Sequence, residues 1–167
     1  MSRQFLLRLL PALVMLVLVA GPAAAAGPNK NFVSPLWGSQ EVPAVDTNTV
    51  GVATFKLNAD ETEMSFKLIV AQGVLVTQSH IHCGPPGVNG PVVVFLFGPT
   101  PAGTNISGVL NQGVITAANV IARPDSPACP GGIADLGDVL EKIRTGGAYA
   151  NVHTIANPGG EIRGEIF

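Results

Sequence analysis

All three histidines of this 167-residue chain fall in two short segments, at His80, His82 and His153. Residues two apart on an extended strand share a face, so His80 and His82 are expected to project side by side. Three imidazoles suit copper or zinc if the strand that carries His153 lies next to the first one. The alternative is structural, with each ring hydrogen-bonded to loop carbonyls. The residue pattern leaves both interpretations open.

Four further polar residues are predicted to form a structural or binding cluster near these histidines. Asn151 precedes His153 by two positions, and Glu161 and Arg163 alternate on one face of a C-terminal segment. Side chains two apart on a strand reach a common polar partner, so Arg163 is expected to hold a carboxylate such as Glu41 or Glu161.

Catalytic signatures are absent from the sequence. It contains neither a Gly-x-Ser-x-Gly elbow nor a His-Glu-x-x-His motif. Dismutase chemistry of the copper-zinc kind requires a fuller set of histidines and aspartates than three imidazoles. Ser79 adjoins His80, but neighbours on a strand face opposite ways, so they do not form a nucleophile and base. The sequence therefore predicts a protein that is not an enzyme.

Short β-strands are expected to position these residues. Gly and Pro recur about every eight to twelve residues, between segments rich in Val, Ile, Thr and Phe, a spacing typical of a sandwich or barrel. Residues 50–57 and 64–70 alternate in polarity and predict a hairpin with one buried face. Residues 91–97 are continuously apolar and predict a central strand covered on both faces. Further strands are predicted at residues 32–38, 108–116, 148–154 and 161–167.

One short helix is predicted near residues 135–144. Its apolar residues recur at helical spacing, its acidic residues come first, and Lys142 and Arg144 come last, as the helix dipole favours. The helix is expected to connect two strands, and the loop before it, residues 119–132, contains Cys129.

The N-terminus is typical of an export signal. Arg3 and Arg8 form a positive region, residues 9–20 an apolar core, and the small residues up to Ala26 a cleavage site. Pro11 interrupts the core, which is shorter than the roughly 20 residues of a membrane span. We therefore predict a signal peptide at 1–26, a flexible N-terminus at 27–31 and one domain at 32–167, located in the periplasm, at the cell surface or in the medium.

The charge and cysteine content of the mature chain support this assignment. Without Arg3 and Arg8 it carries seven basic residues against eleven acidic ones, a net charge of −4, which argues against a nucleic-acid partner. The mature form is not expected to span a membrane. In an oxidising compartment Cys83 and Cys129 are expected to pair. The alternative, a Cys83 thiolate that ligates metal beside His82, leaves Cys129 unexplained.

Several motifs resemble those of the CHRD domain, named after chordin, in order and spacing. The resemblance rests on Glu41-Val42-Pro43, on His80-Ile81-His82 followed by Asn89-Gly90-Pro91, on Ala148-Tyr149-x-Asn151-Val152-His153-Thr154 and on Gly159-Gly160-Glu161-Ile162-Arg163-Gly164. It implies an all-β, immunoglobulin-like antiparallel β-sandwich of about seven or eight strands, usually in secreted or surface proteins. In chordin the domain belongs to an antagonist of growth-factor signalling. This chain lacks the cysteine-rich modules of chordin, so growth-factor binding is not carried over.

These observations predict an exported, non-enzymatic binding or structural module that takes a protein or small-molecule partner. The alternative, from another functional class, is an extracytoplasmic copper or zinc protein that uses the three histidines to handle the metal, with redox activity as an option.

Overall fold

The computed structural model describes residues 29–167, which fold into seven β-strands and one short α-helix. The elements are β1 (Asn31–Trp37), β2 (Val50–Leu57), β3 (Met64–Cys83), β4 (Val92–Phe97), β5 (Thr104–Ile115), α1 (Leu136–Thr145), β6 (Ala148–Thr154) and β7 (Ile162–Glu165). The predicted all-β class with one helix is confirmed. The predicted signal peptide, residues 1–26, lies outside the described residues.

The strands form one antiparallel sheet that closes on itself. The hydrogen-bonded order is β2-β1-β7-β6-β3, and β2 also pairs with β3, which completes a barrel of five strands. Strands β4 and β5 each add to β3 outside this ring. The two-sheet sandwich implied by the family resemblance is therefore not confirmed, whereas the barrel that the strand spacing also allowed is present.

Strand β3 joins the two halves of the barrel. Its residues 64–71 pair with β2, and its residues 76–83 pair with β6. Between these stretches the register shifts against β5, and Gln72 and Leu75 adopt left-handed backbone conformations with φ of 58° and 50°. Such a conformation is costly for residues other than glycine and is held here by hydrogen bonds from their amides to Ser107 and Asn105. The predicted strand at 64–70 thus continues to Cys83 and carries His80 and His82 into the second half.

Strand β4 occupies the edge of the sheet, so the prediction of a central strand at residues 91–97 is wrong. It pairs with β3 alone among the described strands, and Phe95 remains 44% exposed. The apolar character of this segment arises because Val93, Val94 and Leu96 are buried, while Phe95 packs against the polar side chain of His80.

The interior of the barrel follows the alternation of the sequence. Met64, Phe66, Leu68 and Val70 of β3 are buried, and Ile81, Val152 and Ile162 are fully inaccessible. Burial of each such side chain contributes about 1.5–3 kcal/mol to folding. Because these residues point inward, their sequence neighbours must point to the outer face of the sheet.

The helix α1 is present where the sequence predicted it, and it packs its apolar face on the sheet. Leu136, Val139, Leu140 and Ile143 are buried, and Asp135 caps the first turn by accepting a hydrogen bond from the Asp138 amide. The preceding loop is attached to the end of β3, because the Cys83 and Cys129 sulfurs lie 2.02 Å apart, at disulfide distance. Within residues 29–167, none of the helical segments has the length and apolar character needed to cross a membrane.

Candidate functional site

The histidines lie on the outer face of the sheet where β3, β6 and β7 run side by side. The register places His80 opposite Asn151 and His82 opposite Tyr149. In the next pair of strands, Asn151 is opposite Arg163. Local alternation therefore selects the face, and the pairing of β3 with β6 brings residues that are about seventy positions apart into adjacent rows.

The three histidines converge, because the strands that carry them are adjacent, a condition that the sequence analysis had left open. His80 Nδ1 and His153 Nε2 are 3.0 Å apart, and one ring nitrogen from each of the three residues lies within 4.8 Å of the others. Two nitrogens that each bind a tetrahedral metal at about 2.0 Å are separated by roughly 3.3 Å. The observed separations bracket this value, and an ion shared by all three residues would replace the contact between His80 and His153.

Loop carbonyls determine which nitrogens face the cluster. His82 Nδ1 lies 2.8 Å from the Gly90 carbonyl oxygen, and His153 Nδ1 lies 2.9 Å from the Pro158 carbonyl oxygen. A carbonyl only accepts, so both Nδ1 atoms donate and carry the proton of the neutral ring. The Nε2 atoms of His82 and His153 therefore carry lone pairs. The Asn151 side-chain amide, 3.1 Å from His153 Nε2, must present its NH2 group to that ring, because an amide oxygen also only accepts. His80 Nδ1 then donates to His153 Nε2, which leaves a lone pair on His80 Nε2.

Two of these lone pairs have no partner. The Nε2 atoms of His80 and His82 are buried and accept no hydrogen bond from any described residue. A buried polar atom without a partner costs about 1–3 kcal/mol, so this arrangement is unusual for a purely structural cluster.

Burial keeps the three rings neutral. His80 is 2% exposed, His82 7% and His153 6%. Desolvation, together with the neighbouring His153, lowers the pKa of His80 to about 3. Desolvation lowers the pKa of His82 to about 4 despite its bond to Gly90, and it also lowers the pKa of His153. All three imidazoles are thus uncharged at neutral pH, the state in which they bind metals.

Two aromatic side chains enclose the histidines. Phe95 meets His80 edge to face, with the ring centroids 4.5 Å apart. Tyr149 stacks on His82, with centroids 4.8 Å apart and planes inclined by 9°. Sequence analysis named Tyr149 only as part of the family motif and did not place it at the site. Its position two residues before Asn151 was the available signal, because on a strand that spacing places it on the histidine face.

Gly90 brings the loop after β3 close enough to hold this arrangement. Its carbonyl accepts from His82, and its amide donates to the Tyr149 hydroxyl at 3.1 Å. A Cβ at position 90 would lie 1.7 Å from the Cys83 carbonyl oxygen, so the approach requires glycine.

Arg163 does not pair with Glu41 or Glu161, which corrects that prediction. Its guanidinium is completely buried, forms a salt bridge of 3.0 Å to Glu165 and lies 3.4 Å from the centre of the Tyr149 ring. It also donates to the Val88 carbonyl oxygen at 3.1 Å. Arg163 pairs with Glu165 because Glu165 is two residues away on the same face of β7, whereas Glu41 and Glu161 lie outside that strand. The arginine thus secures the loop that carries Gly90 to the sheet.

Glu161 lies apart from the histidines, at the end of the turn that leads into β7. It accepts hydrogen bonds from Thr47, from Asn157 and, at 2.9 Å, from Thr154. Burial by itself would raise the pKa of Glu161, but these donors, together with Thr49, outweigh burial and lower it.

Of the four predicted cluster residues, Asn151 alone contacts the histidines, through its side-chain amide 3.1 Å from His153 Nε2.

Comparison with known proteins gives one finding. A family model described as the CHRD domain matches residues 32–166, nearly all of the described part of the chain. No curated protein and no solved structure matched.

Proposed function

The chain belongs to the CHRD domain family, and from this membership and the histidine geometry we propose that it is an exported, non-enzymatic binding module whose ligand is a copper or zinc ion. Family membership supports the binding or structural role. The identity of the ligand is supported by one observation above all, which is that three neutral imidazoles converge in a buried position while the Nε2 lone pairs of His80 and His82 have no partner.

The outer hydrogen bonds of the cluster match those of metal sites. Ligating histidines usually donate their second ring N–H to a carbonyl or carboxylate, which fixes the tautomer and the direction of the lone pair. His82 and His153 each do so, to the carbonyls of Gly90 and Pro158. These two carbonyls fix the orientation of the His82 and His153 rings, so His80, which must give up its bond to His153, is the ring that has to readjust when an ion binds.

The closed surroundings favour retention of the metal over catalysis. A catalytic metal keeps one position open for water or substrate. Here Phe95 and Tyr149 cover the rings, and each of the three histidines is less than a tenth exposed. A role in holding or buffering the ion fits this enclosure better than turnover of a substrate.

Export is supported by independent features. The Cys83 and Cys129 sulfurs lie at disulfide distance, as expected in an oxidising compartment, and residues 1–26 have the composition of a cleaved signal. Outside the cytoplasm the free thiols that compete for copper and zinc are scarce, and three imidazoles are sufficient to retain such an ion.

Metal analysis of the mature, disulfide-intact protein tests the proposal. After equilibration with limiting copper or zinc and desalting, elemental analysis should find about one ion per chain. His80→Gln, His82→Gln and His153→Gln should each lose it, whereas Lys67→Gln, an exposed position on the same strand, should retain it. The chain contains no other histidine. A wild-type protein that retains neither metal, or a His82→Gln variant that holds a full equivalent, would overturn the proposal.

A further inference from the structure

A second candidate site lies on another side of the β6–β7 turn. A partly open cavity of about 240 Å³ lies between the segment that follows β1 and this turn. Most of its wall is apolar side chain or glycine backbone, and the amides of Asn89 and Asn157 complete it. Glu41 is its one ionisable lining residue.

One oxygen of the Glu41 carboxyl group, which lines this cavity, has no hydrogen-bond partner. The residue is 7% exposed, and its Oε1 atom is buried with no hydrogen bond from any residue between 29 and 167. It forms no salt bridge within that range. Arg163 is the nearest source of positive charge that acts on it, but the guanidinium is committed to Glu165 and to loop carbonyls.

Glycine at position 160 makes room for this carboxyl group. A Cβ there would lie 2.4 Å from Glu41 Oε1 and 2.6 Å from Oε2, and the backbone has φ of 141°, which disfavours other residues. The turn is therefore shaped around the carboxyl group, which argues that its placement is specific.

Burial makes ionisation of this group costly. Desolvation raises the pKa of Glu41 to about 7 and the negative charge of Glu161 adds to the rise, whereas the positive charge of Arg163 and a hydrogen bond from the Val42 backbone oppose it. A buried carboxylate with no counter-ion of its own and one oxygen without a donor is destabilised, and a ligand that brings both would relieve that cost.

We propose that this cavity binds a small organic cation, a primary ammonium group on a compact apolar body, with the ammonium on Glu41. Such a head group supplies the missing donor and the missing positive charge together. The apolar walls accept the hydrocarbon part, and the absence of any basic residue from the described lining disfavours carboxylate or phosphate ligands. The size of the cavity limits the ligand to a fragment, smaller than a nucleotide or a disaccharide.

This site is independent of the proposed metal centre. The turn contributes to both, because the Pro158 carbonyl accepts from His153 while Pro158 and Gly159 line the cavity. Glu41 itself, however, contacts none of the three histidines. A substitution of Glu41 that abolishes ammonium binding should therefore leave the metal content unchanged, and the two proposals can fail separately.

Calorimetry on the mature protein tests the inference with three probes that have the same cyclohexyl ring and differ in head group. Cyclohexylammonium should bind saturably with one site per chain, whereas cyclohexanol and cyclohexanecarboxylate should bind at least tenfold more weakly. Glu41→Gln should reduce ammonium affinity by tenfold or more, while Glu63→Gln, at an exposed position, should leave it unchanged.

The wild-type pH profile provides a test that needs no variant. Because only ionised Glu41 attracts the cation, affinity should fall by about tenfold per pH unit below pH 7 and level off above it. Amide chemical shifts of Gly159 and Gly160 should move with ligand. Absence of saturable ammonium binding, equal affinity in Glu41→Gln, or tighter binding of the carboxylate would each overturn the proposal.

Discussion

Acidification should destabilise the metal-free protein through its three histidines. In the unfolded chain these residues protonate near pH 6.5, whereas burial holds the pKa of His80 at about 3 and that of His82 at about 4 and lowers that of His153. Between about pH 6.5 and pH 4 the unfolded state therefore binds more protons than the folded state. The free energy of unfolding must fall as the pH decreases through this window.

The pKa differences set the expected size of the effect. Each histidine that is protonated only in the unfolded state costs about 1.4 kcal/mol per pH unit, so His80 and His82 together remove roughly 4 kcal/mol between pH 6.5 and pH 5. Glu41 and Glu165 act in the opposite direction, because burial raises their pKa values and the folded state then holds the extra proton. We expect a net loss of about 2–3 kcal/mol, a large part of the stability of a small domain.

Urea unfolding of the chelator-treated protein between pH 7.5 and pH 5 measures this dependence. His82→Gln should flatten the slope below pH 6.5 by up to about 1.4 kcal/mol per pH unit, and Lys67→Gln should match the wild type. Glu41→Gln should steepen the slope, since it removes an opposing group. If the wild-type slope is flat and His82→Gln does not change it, the rings are not held neutral and the tautomer argument for a metal site fails.

Two further perturbations test the packing around the site. Replacing Cys83 and Cys129 together by serine should lower the free energy of unfolding by about 4 kcal/mol, since the bond joins positions 46 residues apart. Urea titration of the variant against the oxidised protein measures this difference. A loss below about 1 kcal/mol would contradict the chain-entropy account. Gly160→Ala should cost about 1–3 kcal/mol through its φ of 141° and its clash with Glu41. Combining it with Glu41→Ala should recover part of that loss in a double-mutant cycle, whereas strict additivity would show that the carboxyl group is not the obstacle.

Local features of the sequence determined the elements and the face on which the site lies. Alternation of apolar and polar residues is a property of a few consecutive positions, so it predicted the strands and the side-by-side projection of His80 and His82. The spacing of Leu136 and Ile143 likewise predicted the helix. The two cysteines of the chain were expected to pair in an oxidising compartment, and the sulfurs of Cys83 and Cys129 lie at disulfide distance.

Tertiary structure alone decided how those elements meet, because strand pairing depends on register between distant segments. Closure of the barrel requires β2 and β6 to pair with different halves of β3, and nothing local to β3 encodes this. The same long-range pairing placed β4 at an edge and left Glu41 in its cavity without a counter-ion of its own. The tautomers of His82 and His153 depend on carbonyls of loops that fold back on the sheet. The three histidines and Asn151 could be named from the sequence, but Phe95, Tyr149 and Gly90, and the protonation of the rings, follow from the packed barrel.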